Sequence, residues 1–344
     1  MSSNSVLTSA RYGKDKVRVF RIVREGNWHQ IVEYNVTALV EGDIDVRQAD
    51  NSVVVATDSS MYDLSDPLTD LAKVSPHILI PERFALHLGT HLVSRYAHIH
   101  KAFITVEQLR WSRIRVPDGN EGLKEHEHSF LRDGDEKRLV KVEVDGSRGK
   151  DSLSARVTAG ISDLLVLKSS GSAFKDFVRD EYTTLVEVDD RIFSTSVDLV
   201  YDFAPIPIPA PRDPQLLDFA APVEGQDVGT HAGGIWDVEV PARARKVTLE
   251  IFATDDSESV QATLYKMAQR IIDENAGVQS VTYTLPNKHY IPVDMKYIGV
   301  DNLTPLSILL VLSFPSFALP FFRRSLYSVP HSHVKTYLFL PLFY

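Results

Sequence analysis

The sequence predicts an α+β protein in which antiparallel strands carry helices on one face, with the plan repeated twice along the chain. Three observations lead there. Apolar residues alternate with polar ones in many segments, as half-buried strands require. Two stretches place apolar residues at helical spacing, each between strand-like segments. The tripeptide Ala-Thr-Asp occurs at residues 56–58 and again at 253–255, each time after an apolar strand-like run and ahead of an amphipathic helix and a further strand.

In chain order, "KVRVFRIVREGNWHQIVEYNVTALVEG" reads as a hairpin. Apolar residues crowd Val17 to Val23, Glu25-Gly26-Asn27 supply the turn, and Val32, Tyr34, Val36, Ala38 and Val40 alternate afterwards. The run Val53–Ala56 predicts a strand that delivers Thr57 and Asp58 to its end. "PERFALHLGTHLVSRYAHIH" sets Phe84, Leu88, Leu92 and Tyr96 four apart, with Pro81 as helix opener. "KAFITVEQLRW" returns as a strand.

In the second half, "VKVEVDG" and "ARVTAGISDLLVLKSS" are strand-like, and "KVTLEIFATDDS" is expected as a strand in which Val247, Leu249 and Ile251 alternate. "SESVQATLYKMAQRIIDENAG" then predicts a helix with Val260, Leu264, Met267, Ala268 and Ile271 on one face, Ser257 as cap and Gly277 as stop. "VQSVTYTLPNKHY" follows as a strand. The boundaries are set at 11–150 and 151–303, with a Pro- and Gly-rich surface excursion at 201–234 and an atypical hydrophobic tail at 304–344 outside the fold. Helices cover only one face of such sheets, so the other face and the open edges call for further copies of the chain.

Composition narrows the function. A net charge of −9 without a basic block argues against nucleic acid. The absence of cysteine excludes disulfides, Fe–S clusters, thiolate nucleophiles and Cys-rich zinc sites. The N-terminal segment has no apolar h-region, so no secretory signal is expected. Residues Pro305 to Phe322 carry no charge, but Pro315 and Pro320 interrupt the run, so a membrane anchor is the lesser reading.

Several residues could carry chemistry, and each has a plainer reading. Thr57 and Asp58 suit helix capping. His98 with His100, and His126 with His128, would aim two imidazoles to one side of an extended chain, yet no third ligand stands at a defined spacing, so they read as solvated histidines. Asn287 and His289 lie two apart and share a side of an extended segment, pairing an amide with a group that moves protons near neutral pH. Taken alone they read as a hydrogen-bonded turn. Lys14 reads as a solvated turn lysine, Arg191 as half of a surface ion pair beside the segment holding Phe174, and Gln261 as a solvated helix residue.

Assembled in order, "RYGKD", "ADNSVVVATDS", "LGTHLVSRYAHIHKA", "HSFLRD", "VLKSSGSAFKDFVRDEYTTL", "DRIFSTSVD", "SVQATLYKMA" and "LPNKHYIPVDM" resemble the segments of urate oxidases (uricases), from about residue 11 to about 303. The resemblance implies an α+β tunnelling fold of two tandem repeats, a homotetramer of two stacked rings with sites between subunits, and a peroxisomal enzyme; otherwise the chain is expected in the cytoplasm. It implies oxidation of urate by O₂ as co-substrate to 5-hydroxyisourate and H₂O₂, the first step from urate to allantoin, with no metal or organic cofactor. Lys14, Thr57 and His289 take the catalytic proton-relay positions. Thr57, Asp58, Phe174, Arg191, Val260, Gln261 and Asn287 take the substrate positions: Phe174 stacks on the purine, Arg191 and Gln261 grip its edges with the Val260 backbone beside them, and Asn287 holds O₂ or water above the ring.

The chain departs from this pattern near Leu303. "TPLSILLVLSFPSFALPFFRRSLYSVPHSHVKTYLFLPLFY" has no acidic residue, no period-two order and no Ser-Lys-Leu-type ending, and reads as a translated intron or frameshift. The competing readings are another tunnelling-fold enzyme acting on purines or pterins, and an inactive remnant produced by the tail.

Overall fold

A computed structural model describes residues 10–43, 68–119, 122–184, 186–208, 239–302, 310–313 and 316–322; for residues 287, 289, 291, 292 and those from 310 onward it describes the backbone alone. The chain divides into two units, one of residues 1–159 with 202–238 and the other of 160–201 with 239–344. The division therefore interleaves, unlike the simple cut expected near residue 150, because two long strands, β5 (Leu153–Lys168) and β6 (Phe193–Phe203), each run through both units.

The first unit begins with the expected hairpin, β1 (Tyr12–Glu25) and β2 (Trp28–Gly42), whose register closes at Glu25↔Trp28. Gly26 has φ +62° at the first turn position, a conformation that type II′ hairpins need and that costs glycine no strain. β3 (Ile99–Pro117) pairs antiparallel with β2 and with β4 (Leu123–Asp145), and the order continues to β5, on which β7 (Ile206–Ile208) forms a short added strand. Val32, Tyr34, Val36, Ala38 and Val40 of β2, Ala102, Ile104 and Val106 of β3, and Val140, Val142 and Val144 of β4 are all buried, the period-two signature of one covered face. Each such valine or isoleucine contributes about 1.5–3 kcal/mol by leaving water.

Residues 68–74 form a short helix, α1, and α2 (Pro81–Arg95) packs on β3 and β4. Phe84, Leu88 and Leu92 face the sheet as their spacing predicts, but Tyr96 is the extended C-cap and not a fourth member of that stripe. Gly89 lets the helix come close: a Cβ there would lie 2.8 Å from Val144 Cγ2. The α1–α2 turn is held by Tyr34, whose hydroxyl donates to Ile78 O at 2.5 Å, and by Arg21, which donates to Ala72 O and Ser75 O. Lys150 Nζ donates to Val93 O, Tyr96 O and Ile99 O, closing the carbonyl end of α2.

The second unit orders its strands β5-β6-β8-β10, with β8 spanning Val278–Pro292. The segment expected as a strand around Val247, Leu249 and Ile251 is instead helix α3 (Val240–Thr254). Its buried residues are Val240, Ala244, Val247, Thr248, Ile251 and Phe252, a spacing of three and four, and Leu249 is only half-buried. The helical stripe wins because it buries both Val247–Ile251 and Thr248–Phe252, whereas a strand would strand one set outward. The second Ala-Thr-Asp thus closes a helix, with Asp255 as its C-cap, while the first copy, at 56–58, lies outside the described residues. Helix α4 (Val260–Glu274) packs on α3 and β8 with Leu264, Met267, Ala268 and Ile271 fully buried. Its cap is Ser259, which accepts the Ala262 N–H at 3.1 Å, not Ser257. Tyr283 of β8 shares a 2.6 Å hydrogen bond with Thr248 of α3.

Eleven residues of the tail, expected outside the fold, form strands. β9 (Leu310–Ser313) pairs with His289–Pro292, and β10 (Ser316–Phe322) pairs with Ser280–Pro286, both antiparallel on β8. Backbone pairing along a sheet edge needs no period-two side-chain pattern, which is why the sequence gives no hint of it. The Pro-rich excursion expected at 201–234 begins inside the sheet, its first eight residues lying in and between β6 and β7 with Tyr201, Phe203, Ile206 and Ile208 buried; residues 209–238 and the rest of the tail lie outside the described residues.

Candidate active site

Six of the expected site residues fall in the second unit: Phe174, Arg191, Val260, Gln261, Asn287 and His289. Between β5 and β6 the chain leaves regular structure, and backbone bridges fix it. Ser172 forms a parallel bridge with Ser257, and Phe174 an antiparallel one with Val188. The Ala173 N–H donates to Ser257 O at 2.7 Å, Phe174 and Val188 exchange bonds of 2.7 and 3.0 Å, and the Arg191 N–H donates to Ser172 O at 2.7 Å. One strip, 171–174, therefore positions both the aromatic ring and the arginine, and ties them to the turn that leads into α4.

Within that strip the Arg191 guanidinium lies 5.0 Å from the centre of the Phe174 ring, and Phe177 stacks on Phe174 at 4.8 Å. Burial pushes the Arg191 pKa down, as removal from water penalises its charge. Its Nε is buried without a hydrogen-bond partner. Arg191 is thus not the surface ion pair that the residue alone suggested; it is a desolvated planar cation beside an aromatic face, suited to a flat anion. Asp190 fixes the approach: its carboxylate accepts from Ser170 Oγ at 2.6 Å and from the Gly171 N–H at 2.7 Å, and these bonds hold it below the usual carboxylate range.

Val260 is buried and Gln261 exposed at the first turn of α4. They carry two of the four N–H groups that a helix start leaves without an intrahelical acceptor, and the dipole there favours negative charge. A polar cluster holds this end in place. Thr263 Oγ1 lies 2.9 Å from Asp255 Oδ2 and 2.7 Å from Ser257 Oγ, Ser257 Oγ donates to Ser259 O, Lys266 reaches Asp255 Oδ1 at 2.5 Å, and Lys168 Nζ donates to Asp255 O. Burial works against the Asp255 charge, but the hydrogen bonds from Lys266 and Thr263, with the charges of Lys266 and Lys168, outweigh it and hold the carboxyl below its ordinary value. Sequence reasoning passed over Ser172, Asp190 and Asp255, since their roles rest on long-range backbone contacts that leave no periodic signal.

Asn287 and His289 lie on β8, not in a turn: the strand continues through Pro286 to Pro292, with Pro286 O accepting from Thr195 Oγ1 at 3.0 Å and His289 paired opposite Ser313. Lys14 belongs to the first unit, within β1 and opposite Ala38, not in a turn ahead of the strand. A bulge follows at once, in which Lys16 has φ +53° and donates its N–H to Thr37 Oγ1. Thr57 and Asp58 lie outside the described residues. His100 Nε2 pairs with Asp43 Oδ1 at 2.9 Å, and the His126 and His128 rings meet edge to face at 4.6 Å. A separate cavity of about 690 Å³ in the first unit is lined by Arg11, Thr37, Phe103, Lys141 and Arg156 among others, and among the described residues it includes no expected site residue.

Comparison with known proteins settles the family. The family model described as Uricase matches residues 10–143 and 157–306. The chain belongs to the uricase family. It is 40% identical over 297 residues to a uricase of Aspergillus flavus, covering 85% of this chain and 87% of that one. A uricase of Schizosaccharomyces pombe is 36% identical over 307 residues, covering 88% and 92%. The crystal structure of uricase from Arthrobacter globiformis superposes with a TM-score of 0.71 at 28% identity, covering 96% of this chain and 98% of that one. The fold is accordingly the α+β tunnelling fold of uricases. No helix among the described residues is long and apolar enough to cross a membrane.

Proposed function

We propose that this uricase-family chain oxidises urate: urate, O₂ and water give 5-hydroxyisourate and H₂O₂. Urate gives up two electrons to O₂, which leaves as peroxide with two protons, and the oxygen of water forms the new bond at C5. The observation that carries the reading is the half-buried Arg191 guanidinium over Phe174, in a segment of the family match and tied to the turn that leads into α4. The neighbouring purine and pterin chemistries and the inactive remnant gain no support from the relatives found.

In this reading Phe174 stacks on the purine plane, Arg191 grips one edge through paired charge-assisted hydrogen bonds, and Gln261 with the Val260 N–H takes the other. Lys14, Thr57 and His289 form a proton relay: the lysine draws the proton from the Thr57 hydroxyl, which is too weak an acid to ionise unaided, and the imidazole exchanges protons with water. Asp58 shapes the same pocket, and Asn287 holds O₂ or the attacking water. No metal or organic cofactor takes part, because the urate dianion is itself an easily oxidised donor, and orientation with a preorganised electrostatic seat suffices.

The working form is a homotetramer with each site completed across a subunit boundary, and the enzyme is peroxisomal. The loop after Phe174 supports assembly: Val178, Tyr182 and Val186 are 96%, 81% and 72% exposed, an apolar surface that a single chain leaves in water. The test is to follow urate absorbance and peroxide formation under O₂ with and without chelator. Chelator-resistant urate loss supports the reading, and chelator-sensitive loss or none opposes it.

A further inference from the structure

Among the described residues, two buried polar atoms at the site have no hydrogen-bond partner. Ser172 is 0% exposed and its Oγ makes no hydrogen bond, and the buried Nε of Arg191 makes none either. Leaving such groups unsatisfied carries their full desolvation penalty, and each such group in a native structure calls for an explanation. These two residues are backbone neighbours through the bond from the Arg191 N–H to Ser172 O, at 2.7 Å. Ser172 also stands two residues before Phe174, over whose ring the Arg191 guanidinium lies at 5.0 Å. The nearest carboxylate in sequence, Asp190, is already engaged by Ser170 and Gly171.

We infer that Ser172 is the positioning residue for Arg191: its hydroxyl accepts the Arg191 Nε–H through one buried water and fixes the guanidinium plane so that both terminal nitrogens face the ligand. The inference deepens the urate reading and rests on it. Ser172 does not touch urate, since a fully buried hydroxyl gives a ligand no access. Its contribution is orientation of a planar fork whose value lies in that orientation.

The test compares Ser172→Ala and Ser172→Thr in the full chain, with urate binding measured under argon, where no oxidation consumes the ligand, and steady-state kinetics measured in air. Ser172→Ala is expected to weaken urate binding and raise KM five- to twenty-fold with kcat within threefold, and Ser172→Thr, which keeps the hydroxyl, to stay within threefold of the unsubstituted protein. In an Arg191→Lys background, adding Ser172→Ala should cost less than twofold more, because the fork it orients is gone. A Ser172→Ala protein that binds urate within twofold of the unsubstituted chain overturns the inference, as does equal impairment of the alanine and threonine variants. An unsubstituted protein that binds no urate overturns the urate reading, and this role with it.

Discussion

Replacing Arg138 by methionine should destabilise the protein by about 3–5 kcal/mol. The reason is Glu82, on the first turn of α2, which is only 1% exposed. Both of its carboxylate oxygens accept from Arg138 Nη2, at 2.7 and 2.6 Å, and the arginine side chain is itself 27% exposed. Methionine keeps the length and apolar stem of the arginine but leaves a carboxylate in the helix–sheet interface with its charge uncompensated. Glu82→Gln should cost less, about 1–2 kcal/mol, since an amide is cheaper to bury than a lone charge and the arginine can turn towards water. The double variant Glu82→Met with Arg138→Met should recover most of the loss, because a buried ion pair replaced by packed apolar groups of similar volume is close to neutral. Urea unfolding at fixed protein concentration, read by fluorescence, gives the three values. An Arg138→Met loss under 1 kcal/mol, or a double variant no better than that single one, would refute the claim that this pair holds the buried first turn of α2.

Burial, with the neighbouring His77 and His91, pushes His87 down from 6.5 to about 4, and burial with Arg95 pushes His91 down to about 4. The unfolded chain therefore takes up protons that the native state refuses. Stability is full above pH 6.5 and falls between there and pH 4, by about 3 kcal/mol at most for one such histidine, so His87→Gln should flatten the acid side of a stability–pH curve. Lys150→Met should cost about 2–4 kcal/mol and lower the melting temperature, because it removes the cation that serves the carbonyls of Val93 in α2, of its C-cap Tyr96 and of Ile99 at the start of β3. Arg191→Lys should raise KM for urate about 10–100-fold through loss of the paired hydrogen bonds, even though the charge is kept, as steady-state kinetics would report.

The parts of this fold that depend on local chemistry were legible in the sequence. Gly26 marks the hairpin, Pro81 opens α2, and the alternation through Val32–Val40 names the covered face of β2. Helix α3 was not, because Val247, Leu249 and Ile251 satisfy a strand pattern, and the helical stripe that wins includes Thr248, a polar residue whose burial depends on its bond to Tyr283. The Ser257 and Ser259 pair shows the same limit one turn later: both can cap, and the bridge to Ser172 takes Ser257 out of reach of that role. At the site, the residue types alone gave Arg191 and Gln261 ordinary surface readings. Their functional reading came from the family resemblance, and the structure adds the burial and the Phe174 contact for Arg191. What sequence could not supply are the crossings of 171–174 with 188, 191 and 257, which join residues far apart in the chain through backbone atoms that every amino acid shares.

The most direct test of the account is oxygen uptake by the full chain in the presence of urate, with Lys14→Met and Thr57→Ala run beside it and urate binding to each measured under argon. The account predicts equimolar loss of urate and O₂ with peroxide formed, and at least about a hundredfold loss of turnover in both variants while they still bind urate, in line with removal of a positioned acid–base group. Turnover at the unsubstituted rate in both variants would contradict it.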